Sequence, residues 1–198
     1  MKRTIISGTI LTFCIVSIKL YDMAIENIAT SQNTLNLNTV VKCINSRTTE
    51  NTILTENEFA DSMEFCARNI RSIGKTGDMF AIRQSDAKIV WDASADCSVV
   101  NKDSAYLSKN GICKLFSDPV SCEIASLTMV TEPPSGAVEW LFDDSDEIVN
   151  YVYYRDTINN NKYIIASGTQ TDEVSSKLKI FIWPVIIFTG IILILNSM

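Results

Sequence analysis

Histidine is absent from all 198 residues. That absence removes serine–histidine and cysteine–histidine nucleophile pairs, and with them every histidine general base. It also leaves a reactive thiol without its usual neighbouring base. The chain therefore reads as something other than an enzyme. Basic residues are few: 17 Lys and Arg stand against 23 Asp and Glu, a formal charge of −6, with a pI near 4.7. No basic stripe offers phosphates a landing surface, so nucleic acid is not an expected partner. The six cysteines form no C-x-x-C pair, and without histidine no mixed zinc site can be completed. Asp143, Asp144, Asp146 and Glu147 are a concentrated acidic group, but their spacing fits no calcium loop of the EF type and reads as a wet hairpin tip. Neither metal nor cofactor is expected. Tandem repeats and low-complexity tracts are also missing.

What the chain does hold is organised around residues 136–174. β-Branched and aromatic residues crowd Ala137–Phe142, Val149–Asp156 and Tyr163–Thr169, and the breaks between them are Asp, Asn and Ser. Three strands in an antiparallel meander follow from that pattern. Upstream, Asp78–Arg83 and Lys88–Asp92 read as two more strands around a QSDA turn. Before them Thr55-x-x-Glu58 is a capping box. Phe59, Met63, Cys66, Ile70 and Ile73 then recur at helical spacing until Gly74. Residues 21–46 carry a mostly helical apolar pattern with a polar interruption from Thr30 to Thr34. The segment 93–134 is less regular, with a short helix expected near Ser104–Ser108, a break at Asn110-Gly111 and an apolar run from Val120 to Val130.

Apolar blocks occupy both ends. Lys2 and Arg3 precede an uncharged run from Thr4 to Ile18. Fifteen helical residues span about 22 Å, short of a hydrocarbon core of roughly 30 Å, unless the run extends to Ile25 with Lys19 and Asp22 at the interface. A cleavable signal peptide is the competing reading, and either one exports the middle of the chain. The second block, Leu178–Leu195, is broken only by Lys179. These features predict an anchor over 1–25, an outward-facing domain over 26–177 and a second span over 178–198. The expected location is a two-pass protein of the inner membrane with a periplasmic or extracellular centre, in contact with the lipid bilayer. An exported setting favours disulfides among Cys43, Cys66, Cys97, Cys113 and Cys122. Cys43 and Cys66 fall on adjacent predicted helices and can staple them. Two of the other three can pair, leaving one over.

This order of elements resembles the single Cache domain, the PAS-like sensor of bacterial chemoreceptors and sensor kinases. The likeness rests on Gly74–Ile82 with Asp86–Trp91 as the opening hairpin, and on Tyr163–Thr169 with Asp172–Val174 as the last strand and exit helix. Gly136–Phe142 and Asn150–Tyr154 are similar to the middle strands. The resemblance implies an α+β fold: a five-stranded antiparallel sheet with a long N-terminal helix, flanked here by two transmembrane helices. It also implies that one sheet face packs on the long helix while the other, roofed by the irregular segment, holds a small polar ligand.

Trp91, Trp140, Tyr151, Tyr153 and Arg155 are the candidates to line that site, with Arg83 and Asp92 at the hairpin. Tyr151, Tyr153 and Arg155 share one strand face, where a guanidinium beside phenols can fork onto a carboxylate. An organic acid or amino acid is the expected ligand class. No output segment follows the second block, so a sensor of this kind reports through a membrane-protein partner or a second copy of itself. The alternative is a structural or interaction protein that keeps the fold without a ligand and docks on a receptor or envelope complex.

Overall fold

A computed structural model describes residues 2–47, 54–68, 70, 78–93, 105–115, 118–131, 135–142, 145–155 and 162–197. Helix α1 runs unbroken over Lys2–Arg47, and α2 covers Glu56–Ala67. Strands β1 (Asp78–Arg83) and β2 (Lys88–Asp92) form the first hairpin. A 3₁₀ turn at Ile112–Leu115 precedes α3 over Pro119–Thr131. Strands β3 (Ser135–Phe142), β4 (Ser145–Arg155) and β5 (Lys162–Gln170) lead into α4 over Thr171–Ser197. The strands make one antiparallel sheet in the order β2-β1-β5-β4-β3. The last strand in the chain is thus the middle strand in space.

Alternation along β1 and β5 divides the apolar residues between two layers. Met79, Ala81, Tyr163 and Ile165 meet α1 and α2 through Leu37, Val40, Ile44, Phe59 and Met63. Phe80, Ile82, Ile164 and Ala166 meet Leu107, Cys113, Cys122, Ala125 and Met129 from the opposite side. The centre of the sheet is therefore covered on both faces, α1 and α2 on one and α3 with the 3₁₀ turn on the other. Each layer carries a staple. Cys43–Cys66 joins α1 to α2, and Cys113–Cys122 joins the 3₁₀ turn to α3.

Local chemistry explains the helix starts. The Thr55 hydroxyl accepts the Glu58 N–H while the Glu58 carboxylate takes the Thr55 N–H at 2.7 Å, the reciprocal box expected from the sequence. These hydrogen bonds hold the Glu58 carboxyl below its ordinary range. The helix ends at Ala67, and Ile73 and Gly74 lie outside the described residues. The apolar run 120–130, expected within an irregular segment, is helix α3. Asp118 starts it by accepting the N–H groups of Val120 and Ser121, at 3.1 and 3.3 Å, with Pro119 at the first helical position. The Asp118 carboxyl also accepts the Ser121 hydroxyl, and these bonds hold it below the ordinary carboxylate range. Of the short helix expected near Ser104–Ser108, Ser104 lies outside the described residues and 105–108 is not helical but carries a bridge. Tyr106 pairs with Lys88, and Ile89 donates to the Ala105 carbonyl at 2.6 Å, so this segment covers the outer edge of β2. Asp146 and Glu147 lie within β4 rather than in a hairpin tip, and Asp143 and Asp144 lie outside the described residues.

The ends of the molecule correct the expected architecture and location. Each apolar block is the far part of a longer helix whose nearer turns pack beside the sheet. Ile25 and Ala29 of α1 bury against Val174 of α4, with Tyr21 and Leu178 at the margin. Lys19, Asp22 and Glu26 interrupt α1, and Asp172, Glu173, Lys177 and Lys179 begin α4. Among the described residues no helix is long and apolar enough to cross a membrane. The two flanking transmembrane helices do not stand, and neither does the two-pass inner-membrane placement built on them.

Candidate functional site

Register assigns the predicted site residues to different surroundings. Tyr151 lies opposite Ala166 of β5 and Gly136 of β3, and Tyr153 opposite Ile164. Arg155 pairs with Lys162 at the end of the sheet. These three positions form one row, and Ala166 and Ile164, opposite the first two, face α3. Among the described residues β3 begins at Ser135, opposite Val152, and β4 continues to Arg155. Gly136 leaves the flank of Tyr151 without a side chain. Trp140 pairs with Glu147, so it shares the sheet face of that row but stands four residues from Tyr151 along β4. The side chains of Trp140, Tyr151, Tyr153 and Arg155 lie outside the described set.

The hairpin candidates sit elsewhere. Trp91 is buried in the layer of α1 and α2, and its indole N–H donates to Glu64 Oε2 at 3.2 Å. Arg83 closes the β1–β2 turn by donating from Nε and Nη2 to both oxygens of Asp86, at 3.0 and 2.7 Å. Its Nη1 reaches Glu56 Oε2 at 2.7 Å, and Lys88 Nζ meets the other Glu56 oxygen at 3.0 Å. The Arg83 fork pulls the Asp86 carboxyl below its usual range, and the same hydrogen bonds push the guanidinium further up. These groups remain about one-third exposed, so the network contributes modestly to stability and ties the hairpin to the first turn of α2. Asp92 is half-buried at the end of β2, opposite Phe80. Arg83, Trp91 and Asp92 thus stand on the first hairpin, apart from the β4 row.

A second polar group lies outside the residues that the sequence singles out. Asn33 of α1 is 1% exposed, and its Oδ1 accepts the hydroxyls of Ser167 at 3.1 Å and Thr169 at 2.8 Å, both on β5. Asn36, also buried, accepts from Gln32 Nε2 at 3.0 Å. About three turns nearer the start of α1, the Tyr21 hydroxyl donates to the Ser175 carbonyl of α4 at 2.9 Å. The signal was present in the sequence. Ile25, Ala29, Asn33, Leu37, Val40 and Ile44 step by four or three, so Asn33 occupies the buried stripe of a continuous helix. The polar stretch at Thr30–Thr34 looked like a break because its partners, 134 and 136 residues away, cannot be read locally.

No family model matches the chain, and no curated protein is similar to it.

Proposed function

We propose that the chain is a sensing module that binds a small polar ligand, of the organic-acid or amino-acid class, and passes its state to a partner through α1 and α4. The observation carrying this reading is the join between sheet and helices. β5 is the middle strand and ends at Gln170, and α4 begins at the next residue. α1 is hydrogen-bonded to both, through Asn33 to β5 and through Tyr21 to α4. A displacement of the middle strand therefore has a direct route to a helix pair. The resemblance of the element order to the single Cache domain supports the same reading. In it, the row of Tyr151, Tyr153 and Arg155 supplies the ligand face, with Arg155 forking onto a carboxylate.

A thermal-shift panel of amino acids, short organic acids and amines on the whole chain tests this. A ligand near one hundred times its Kd stabilises the folded state by about 2.7 kcal/mol. For a chain of this size that is a rise of roughly 5–10 °C. Arg155→Ala is expected to abolish the rise while leaving the unliganded melting temperature nearly unchanged. A flat panel contradicts the proposal.

One observation favours a different reading. Over β1 and β5 the face toward α3 is filled by apolar packing, and the outer side of α3 leaves Val120, Ile124 and Leu127 more than half exposed. On that reading the fold serves as an interaction module without a ligand. A flat panel together with stable association of the purified chain with a protein partner supports it.

A further inference from the structure

We infer that Asn33, Ser167 and Thr169 form a register lock that sets where α1 sits along the middle strand, and so which turn of α1 meets α4. The inference concerns the position of α1 and needs no ligand.

Most of the contact between α1, α2 and the sheet is apolar: Leu37, Val40, Ile44, Phe59 and Met63 against Met79, Ala81, Tyr163 and Ile165. Apolar contact is non-directional and tolerates sliding. The disulfide between Cys43 and Cys66 ties α1 to α2 and not to a strand, so the two helices can shift together. At the rim, Glu56 bonds Arg83 and Lys88 and Glu64 accepts the Trp91 indole N–H at 3.2 Å, but the carboxylates are about one-third (Glu56) and 57% (Glu64) exposed and hold position weakly.

The buried triad differs in kind. A shift of α1 by one turn places Ala29 or Leu37 opposite the two hydroxyls. Ser167, Thr169 and Asn33 then lose these bonds in a setting 1–3% exposed. Each buried polar group stripped of its partner disfavours the shifted position by on the order of tenfold or more. A lone buried asparagine selects one alignment of packed elements in the same way in helical assemblies, with some loss of stability. Here the selected alignment also positions Tyr21 beside Ser175. Loosening the triad is therefore expected to change how α1 meets α4 before it unfolds the body.

The test places a photoreactive p-benzoylphenylalanine at position 21 of the full chain and maps the captured residues of α4 by mass spectrometry. In the otherwise unchanged chain, capture is expected at a single site around Ser175. With Asn33→Leu, Ser167→Ala and Thr169→Val together, the chain is expected to melt at an equal or higher temperature. Single-site capture is lost, and products appear one helical turn to either side. Capture still confined to the Ser175 site in a folded variant overturns the inference. Should the triple variant fail to fold, Asn33→Leu alone carries the same decision: displaced products uphold the lock, and unchanged capture rejects it.

Discussion

Phe59→Ala is expected to lower the unfolding free energy by about 3–5 kcal/mol. Phe59 is fully buried on α2, and its ring stacks on Tyr163 of the middle strand with centroids 4.0 Å apart and planes 10° from parallel. Removing it loses the transfer energy of the ring, the aromatic pair and the contacts around a new cavity. The surroundings are poorly placed to collapse into that cavity. Tyr163 is held between β1 and β4, and α2 is stapled to α1 through Cys66, two turns beyond Phe59. A domain normally has about 5–15 kcal/mol in total, so this substitution is expected to bring the chain near its unfolding threshold. Urea unfolding of the variant measures it. A loss below about 1 kcal/mol is incompatible with Phe59 at the centre of a packed layer.

Replacing Cys43 and Cys66 together by alanine is expected to cost about 3.5 kcal/mol. The bond spans a sequence separation of 23, and closing a loop of that length removes roughly this much free energy from the unfolded chain's conformational entropy. Cys113–Cys122 spans 9, so its restraint on the unfolded chain is smaller, about 2.5 kcal/mol. The two losses are expected to add, because the staples lie in layers on opposite faces of the sheet. Denaturant midpoints of the two double variants and of the quadruple variant, compared with the unchanged chain, check this. An unaltered midpoint in the Cys43/Cys66 variant rejects that staple as a restraint on the fold.

How far the fold was legible depends on the range of the forces involved. The α2 start was readable because Thr55 and Glu58 satisfy each other within one turn. Pleated alternation in 78–83, 88–92 and 163–169 was readable because β-branched and aromatic residues at period two have one common explanation. Helix α3 was obscured since apolar residues occur on both its sides: Cys122, Ala125 and Met129 are buried, while Val120, Ile124 and Leu127 face outward. Its start signal, Asp118-Pro119, was the better guide. The end blocks read as spans because, taken one block at a time, each is long and nearly uncharged. In the molecule both blocks continue helices whose other turns pack on each other.

The site was less legible than the fold. Strand parity placed Tyr151, Tyr153 and Arg155 together, and the register keeps them in one row. Parity within one strand says nothing about register between strands, so the four-residue offset of Trp140 from Tyr151 is not legible from it. Neither could it reveal that Trp91 turns to Glu64 and Arg83 to Glu56, each 27 residues away. Asn33 was hidden for a related reason: its buried partners belong to the last strand.

Through the Asn33 and Tyr21 hydrogen bonds, the middle strand, α1 and the first turns of α4 are expected to behave as one mechanical unit. Native-state hydrogen exchange across a denaturant series tests it most directly. Amides of β5, of α1 from Ala29 to Ile44, and of α4 from Val174 to Leu178 are expected to open together with one free energy and one denaturant dependence. Early, independent exchange of the α4 segment while β5 stays protected would contradict it.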